Sequence, residues 1–276
     1  MAVHDGLRPA SAVVRALAAE VSRRSEGVAA RWPDGVPDLL AAKTRLAAGV
    51  TALEGEPLLD GAELLRGGRA LAAAVEAVEP AVGQTMLAIV ERLEGLDEHS
   101  LNELARAALA GAWEPCASLA SILGLDEYAL VSVVDYAARP ALVAAARRVE
   151  HLLTSYDRAS SHCPVCGSSP LLAELSGKEA ARSLRCGRCG ARWRYPRLAC
   201  AWCGERDHHA LSALHGEGEA GVRQADCCST CHGYLKAVSV LDPLDYVSLL
   251  KTDIETAGLD LVAVDRGYAR GTGQRA

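Results

Sequence analysis

Apolar residues recur at helical spacing through the first half of the chain. Between Ala10 and Val28, the residues Val13, Val14, Leu17 and Val21 recur at three- and four-residue steps and fall on one side of a helix. Similar spacing, in a composition rich in alanine and leucine, continues to about residue 155. We therefore expect six to eight helices, packed closely through their small alanine side chains.

Two local signals suggest where particular helices begin. Ser100 and Glu103 have the spacing of a capping box, which predicts a helix that begins at Ser100. The residues expected on its inward face are Leu101, Leu104, Ala108 and Leu109. Pro140 suits the first turn of a further helix, because its missing N–H is not needed there.

The composition changes near residues 155–161, where cysteine becomes frequent. Eight of the ten cysteines form four Cys-x-x-Cys pairs, here called knuckles: Cys163/Cys166, Cys186/Cys189, Cys200/Cys203 and Cys228/Cys231. Two intervening residues let a tight turn direct both sulfur atoms at one ion. Three of the four knuckles are followed directly by glycine, which such a turn often requires. The pattern predicts metal binding.

Each knuckle supplies two sulfur ligands, so a closed site needs two knuckles. The simplest arrangement joins the first knuckle to the second, across 19 residues, and the third to the fourth, across 24. Pairing of the first with the fourth and of the second with the third is also compatible with the sequence. Either way, two tetrahedral four-thiolate sites would hold two ions, and the ligands alone do not distinguish iron from zinc. Because four thiolates fill the coordination sphere, we expect no hydrolysis at the metal.

These patterns predict an α-helical domain followed by two tandem rubredoxin-like or zinc-ribbon lobes and a short helical return. The predicted boundaries are 1–158 for the helical domain, 159–198 and 199–242 for the two four-cysteine lobes, and 243–276 for the C-terminal helical segment and tail.

The remaining cysteines and nearby histidines are expected to lie outside the metal sites. Cys116 has no neighbouring cysteine in sequence and reads as a small buried hydrophobe. Cys227 directly precedes the fourth knuckle and reads as a spare thiol that points away, although a thiol beside a metal site could carry chemistry. The histidines that could replace a cysteine ligand are His208, His209, His215 and His232.

Charge bears on two alternative functions. The net charge of −6 argues against a protein that coats nucleic acid or an anionic membrane. Locally, one acid accompanies seven basic residues: Lys178, Arg182, Arg185, Arg188, Arg192, Arg194 and Arg197. This run could bind nucleic acid, as zinc ribbons often do, or it could offset the negative charge of the thiolate sites. A thiol-disulfide oxidoreductase is the other alternative, but four knuckles in a glycine-rich stretch are a poor match for the thioredoxin-like fold of such enzymes.

The sequence also indicates a cytoplasmic location. Arg23 and Arg24 are not followed by the long apolar run of an export signal, and no uncharged apolar stretch of about 18 residues is present.

The ordered motifs resemble one known family. Cys163-Pro-Val-Cys-Gly-Ser, Arg185-Cys-x-x-Cys, Trp193-x-x-x-Arg-x-x-Cys-x-x-Cys and Cys228-x-x-Cys-x-x-Tyr-Leu-Lys are similar to the FdhE family of formate dehydrogenase accessory proteins. The resemblance implies a non-enzymatic cytoplasmic protein that contacts the catalytic subunit of a molybdenum- or tungsten-dependent formate dehydrogenase. It also implies iron or zinc in rubredoxin-like lobes, with the eight knuckle cysteines as ligands. Cys227 and His232 depart from the family pattern.

Overall fold

The computed structural model describes residues 2–154, 156, 158–216 and 222–271, which belong to two compact units, Met1–Val149 and Glu150–Ala276. In its described residues the first unit is helical, and its elements are α1 (Ala2–Ala29), α2 (Leu39–Ala48), α3 (Gly61–Glu76), α4 (Pro80–Leu93), α5 (Glu98–Ala110), α6 (Glu114–Leu123) and α7 (Glu127–Leu153), the last of which runs on past Val149. These seven helices confirm the expected six to eight.

Aspartates and glycines set the ends of several helices. The carboxylates of Asp38, Asp60 and Asp97 accept hydrogen bonds from the free N–H groups at the starts of α2, α3 and α5. Gly49 and Gly111 end α2 and α5 in the left-handed conformation, with φ of 82° and 69°.

Small residues let the helices of the first unit approach closely. A Cβ added at Gly68 of α3 would lie 2.8 Å from a methyl group of Val90 in α4, and one added at Gly83 of α4 would lie 2.4 Å from the backbone of Glu76. Neither position has space for a larger residue, so these glycines set the spacing of α3 and α4.

Two sequence predictions in this unit were wrong in detail. Helix α5 begins at Glu98 and is capped by Asp97, whose carboxylate accepts from both N and Oγ of Ser100 at 3.0 and 2.7 Å. Asp97 competes for the role assigned to Ser100 and moves the start of the helix upstream. Pro140 lies inside α7, not in a first turn. The residues that follow it, 141–146, are all buried, and tertiary packing of this kind can offset the missing backbone hydrogen bond.

Helix α7 is long and apolar enough to cross a membrane. However, 67% of its most apolar 18-residue window is buried inside the protein, as in the core helix of a globular domain.

The second unit is built on one sheet. Its strands are β1 (Pro170–Ser176), β2 (Ala181–Cys186), β3 (Arg192–Arg194), β4 (Leu211–Leu214), β5 (Arg223–Cys228), β6 (Gly233–Val240) and β7 (Ala269–Arg270). The order across the sheet is β3-β2-β1-β6-β5-β4, and β7 pairs with β6. The predicted helical region followed by two four-cysteine clusters in a sheet-containing part is confirmed.

The sheet consists of two halves with the same topology. The first lobe (β1–β3) and the second lobe (β4–β6) each follow the order knuckle, strand, strand, knuckle, strand, with antiparallel pairing inside each lobe. Parallel pairing of β1 with β6, from Ala173↔Ala237 to Ser176↔Val240, joins the lobes. The two lobes are therefore a structural repeat within a continuous sheet.

Two further helices, α8 (Tyr246–Glu255) and α9 (Ala257–Asp265), cover part of this sheet. Leu249 of α8 packs against Leu172 and Val238, and Leu259 of α9 packs against Tyr234 together with Ala225 and Cys227. The C-terminal segment thus covers apolar residues of the strands.

Candidate metal centres

The first centre joins the first two knuckles. The sulfur atoms of Cys163, Cys166, Cys186 and Cys189 all lie within 4.8 Å of one another. The Cys163 and Cys189 sulfurs are 3.6 Å apart, and those of Cys166 and Cys186 are 3.5 Å apart. All four side chains are buried, and Cys166, with 9% of its surface exposed, is the most accessible of them.

The second centre joins the third and fourth knuckles in the same way. Cys200 and Cys231 have sulfur atoms 3.6 Å apart, and Cys203 and Cys228 have sulfur atoms 3.8 Å apart. Cys200 and Cys228 are buried, whereas Cys203 and Cys231 are exposed. Of the two pairings compatible with the sequence, the structure has first with second and third with fourth.

Backbone hydrogen bonds shape equivalent knuckles alike. Cys163 N donates to Ser168 O at 2.8 Å, and Cys200 N donates to Glu205 O at the same distance. The residue after each knuckle has a positive φ: 79° at Gly167, 77° at Gly190, 76° at Gly204 and 52° at His232. Glycine adopts this conformation without steric cost, so His232 is the one strained member of the set.

Both sulfur clusters fit a tetrahedral thiolate-bound ion. Ligands at a Zn–S distance of about 2.3 Å stand about 3.8 Å apart at the corners of a tetrahedron, close to the measured separations of 3.5–3.8 Å. Four soft sulfur donors suit zinc or iron equally. Each cluster could therefore hold one such ion.

Protonation will compete with metal binding in the first centre. Burial raises the pKa of the Cys163 and Cys189 thiols. Hydrogen bonds from neighbouring thiols, Cys163 foremost, lower the pKa of Cys166, and the charge of Arg188 adds to this effect. An ion must displace the protons of the remaining thiols, so metal affinity should rise with pH.

Cys227 does not join the second centre. Its side chain is buried among Ala225, Tyr234 and Leu259 on the side of the sheet that α9 covers, and its sulfur lies 3.5 Å from the Ala225 carbonyl oxygen. Burial, assisted by the charge of Asp226, raises the pKa of Cys227 to about 12. The thiol is therefore protonated at neutral pH, as its interpretation as a spare residue requires.

The histidines also lie outside both sulfur clusters. His208 and His209 form an exposed group with Asp207, whose Oδ1 accepts from His209 N at 3.0 Å. His215 and His232 belong to neither group of potential ligands among the described residues.

Several members of the basic run are internal. Arg182, Arg185 and Arg188 are each no more than 8% exposed. Arg182 donates to Ala199 O at 2.7 Å and pairs with Asp226 at 3.1 Å. These contacts join β2 to the start of the second lobe and to β5. These three arginines are therefore buried inside the sheet unit, which disfavours the interpretation of the basic run as a nucleic-acid-binding surface.

Sequence reasoning missed two buried charged residues of the sheet, Glu174 and Lys236. Glu174 is fully buried and pairs with Arg185. The Oε1 atom of Glu174 accepts a hydrogen bond from Leu244 N at 2.9 Å. Arg192 Nε lies 3.3 Å from Glu174 Oε2, but the two atoms are not aligned for a hydrogen bond. Arg185 in turn donates to Gly190 O at 3.2 Å, beside the second knuckle. This network connects the first centre to the segment that leads into α8.

Lys236 forms a second buried network. Its Nζ lies 2.8 Å from Asp253 Oδ1 and 2.7 Å from Asp260 Oδ2, and Tyr234 Oη donates to Asp260 at 2.7 Å. Alternation along β6 puts Tyr234 and Lys236 on the face that receives α9. The only signal in the sequence was the Tyr-Leu-Lys motif itself.

Comparison with known proteins supplies the family. The chain is 35% identical over 114 residues to an FdhE homolog of Pseudomonas aeruginosa, which covers 39% of this chain and 37% of that protein. It is 30% identical over 197 residues to FdhE of Salmonella choleraesuis, which covers 70% of this chain and 59% of that protein. The chain belongs to the FdhE family. It matches about two to three fifths of the length of these FdhE relatives, and no family model matches it.

A solved FdhE structure shares the fold. The crystal structure of FdhE from Pseudomonas aeruginosa aligns with a TM-score of 0.59 over 95% of this chain and 94% of that one, at 22% sequence identity. The FdhE fold thus extends over the helical unit as well as the sheet unit, although the first half of the sequence carries few recognisable motifs.

Proposed function

We propose that this chain is a non-enzymatic accessory protein that binds the catalytic subunit of formate dehydrogenase in the cytoplasm and is needed for its maturation or activity. Its membership of the FdhE family, together with two four-cysteine clusters, supports this proposal. Because the match covers 59% of FdhE of Salmonella choleraesuis, the partner and the role are inferred from the family resemblance.

We further propose that the eight knuckle cysteines bind two ions, iron or zinc. The ligands would be Cys163, Cys166, Cys186 and Cys189 in the first lobe, 159–198, and Cys200, Cys203, Cys228 and Cys231 in the second, 199–242. A bound ion supplies a cross-link between two knuckles and contributes free energy to folding. This contribution matters because each lobe has only three strands, none longer than 8 residues.

The chain's own residues would build the partner-binding surface around these cross-links. Arg182 and Arg185 hold the strands to the knuckle segments, while α8 and α9 of the segment 243–276 cover the sheet. We expect the metals to act on the partner through this folded surface.

The experiment is capture of the formate dehydrogenase catalytic subunit by the purified, metal-loaded chain. We expect two ions per chain and salt-tolerant capture that is lost in Cys163→Ser/Cys186→Ser. The matched control is Arg194→Ala/Arg197→Ala, which removes two exposed cations and should leave capture intact. Fewer than two ions in freshly prepared protein, or capture that fails only in the arginine variant, would contradict the proposal.

A further inference from the structure

The two lobes repeat one topology but expose their sulfur ligands differently. Cys166 and Cys189 of the first lobe correspond in the repeat to Cys203 and Cys231 of the second. The first pair is 9% and 1% exposed, whereas both members of the second pair are exposed. Equivalent sulfur separations in the two centres mean that the difference arises from what covers them.

The cover on the first centre comes from outside its own lobe. Tyr246 of α8 places its hydroxyl 3.3 Å from Gly187 O and 3.5 Å from Arg188 O, between the two cysteines of the second knuckle. A Cβ at Gly190 would lie 3.2 Å from the Tyr246 ring. The corresponding residue in the second lobe is His232, whose side chain is exposed. A Cβ added at Gly204, after the third knuckle, would also meet nothing within 4 Å among the described residues.

The inner half of the second centre is nevertheless held firmly. Tyr195 Oη donates to Cys200 O at 2.7 Å, and the Trp202 indole donates to Tyr234 O at 2.9 Å. Trp202 is also enclosed by Gly233 and Gly271, where an added Cβ would lie 2.6 and 2.2 Å from its ring. Cys200 is thus held through Tyr195 and Cys228 is buried at the end of β5, whereas Cys203 and Cys231 are the accessible pair.

We propose that the second centre is an exchangeable metal site, open to an external thiolate through Cys203 and Cys231, whereas the first centre is a permanent structural one. In the exchange step, the incoming sulfur forms a bond to the ion, the Cys203 or Cys231 sulfur gives up its bond, and the released thiolate takes a proton from water. No electron is transferred. The incoming thiolate belongs either to a small-molecule thiol or to a cysteine of the partner protein.

This inference rests on the proposed loading with two ions, and the test keeps the two apart. The full chain, loaded with two equivalents of zinc, is mixed with an excess of a chromogenic chelator. We expect two release phases of one ion each, with rates at least tenfold apart, and acceleration of the fast phase alone by 2-mercaptoethanol. Fewer than two ions at the start would contradict the loading, whereas two ions released at one rate would overturn only the exchange proposal.

Matched variants assign the phases. Cys203→Ser/Cys231→Ser should keep one ion and the slow phase, and Cys166→Ser/Cys189→Ser should keep one ion and the fast phase. Limited alkylation of the unsubstituted loaded protein covers the case in which a variant does not fold: peptide mass analysis should find label on Cys203 and Cys231 first. Label appearing first on Cys166 or Cys189, or the reverse assignment of the phases, would overturn the proposal.

The source of the thiolate is resolved by adding the formate dehydrogenase catalytic subunit before and after its own thiols are alkylated. Acceleration that alkylation abolishes identifies a partner cysteine, and acceleration by 2-mercaptoethanol alone identifies a small thiol. Absence of acceleration by either would overturn the proposed exchange.

Discussion

Replacement of Lys236 by methionine tests whether the buried charge network holds the C-terminal helices to the sheet. Lys236 is 1% exposed, and its ammonium group bonds to Asp253 Oδ1, Asp253 O and Asp260 Oδ2 at 2.8, 2.6 and 2.7 Å. Methionine keeps much of the apolar stem and removes the charge, so the substitution isolates the electrostatic contribution.

The expected loss follows from what is left behind. Breaking a fully buried ion pair from one side costs about 3–5 kcal/mol. The carboxylate side chains here are 20% and 26% exposed, so water can solvate them in part, and we expect about 2–3 kcal/mol. Asp253 also keeps its contact with Arg270 at 2.8 Å.

Hydrogen exchange of the β6 and α9 amides in the metal-loaded protein measures this loss locally. The control is Lys251→Met, which removes an exposed 3.4 Å pair with Glu255 and should cost less than about 0.5 kcal/mol. Adding Asp260→Asn to Lys236→Met should recover part of the loss, because one orphaned charge disappears. A loss below about 1 kcal/mol, or one equal to that of the control, would refute the assigned role.

Three further predictions concern single sites. His232→Gly should raise the free energy of unfolding of the loaded protein by about 0.5–1 kcal/mol in urea titration, because it removes left-handed strain; an unchanged or lower value would contradict this. Gly271→Ala should lower the free energy of unfolding by about 1–3 kcal/mol, because it forces a methyl group into the Trp202 ring. Gly258→Ala should not lower the free energy of unfolding, because its added methyl group meets nothing within 4 Å. Burial raises the pKa of Cys116, so its reactive thiolate is scarce and the native thiol should resist iodoacetamide at pH 8. The neutral thiol favours the fold below the unfolded thiol pKa of about 8.5. Its contribution to the free energy of unfolding should fall as pH rises above that value. Rapid labelling of native Cys116 would contradict its placement in the core.

The parts of the fold that short-range patterns determine could be predicted from the sequence. The helical spacing of Val13, Leu17 and Val21 and the Cys-x-x-Cys turns depend on residues a few positions apart, and the predicted helical region and cysteine clusters are present. The start of α5 was misplaced because Asp97 and Ser100 both have capping side chains and only three-dimensional context selects between them. Pro140 was misplaced for a similar reason, since burial of the turn after it overrides a local preference.

Long-range pairing was beyond such patterns. The parallel pairing of β1 with β6 joins Ala173 to Ala237. The sequence around each of these residues does not indicate that the two strands pair. The charged residues Glu174 and Lys236 lie in the middle of strands, and both are buried because a partner from another element neutralises each one. Burial of a charge depends on where its partner lies, which the local sequence does not state.

These buried charges explain how the sheet can keep its two centres in register. A buried ion pair gives little net stability, but removal of one member is costly, so such a network favours the arrangement in which every member is satisfied. The two Nη groups of Arg185 find partners only when β1 supplies Glu174 and when the carbonyl oxygens of Gly190 and Leu244 reach them at 3.2 and 2.8 Å. The proposed metal cross-links would fix each pair of knuckles, while the arginines fix the knuckles to the strands and to the chain that enters α8. Loss of the first ion should therefore loosen the cover that Tyr246 provides, whereas loss of the second leaves that network complete.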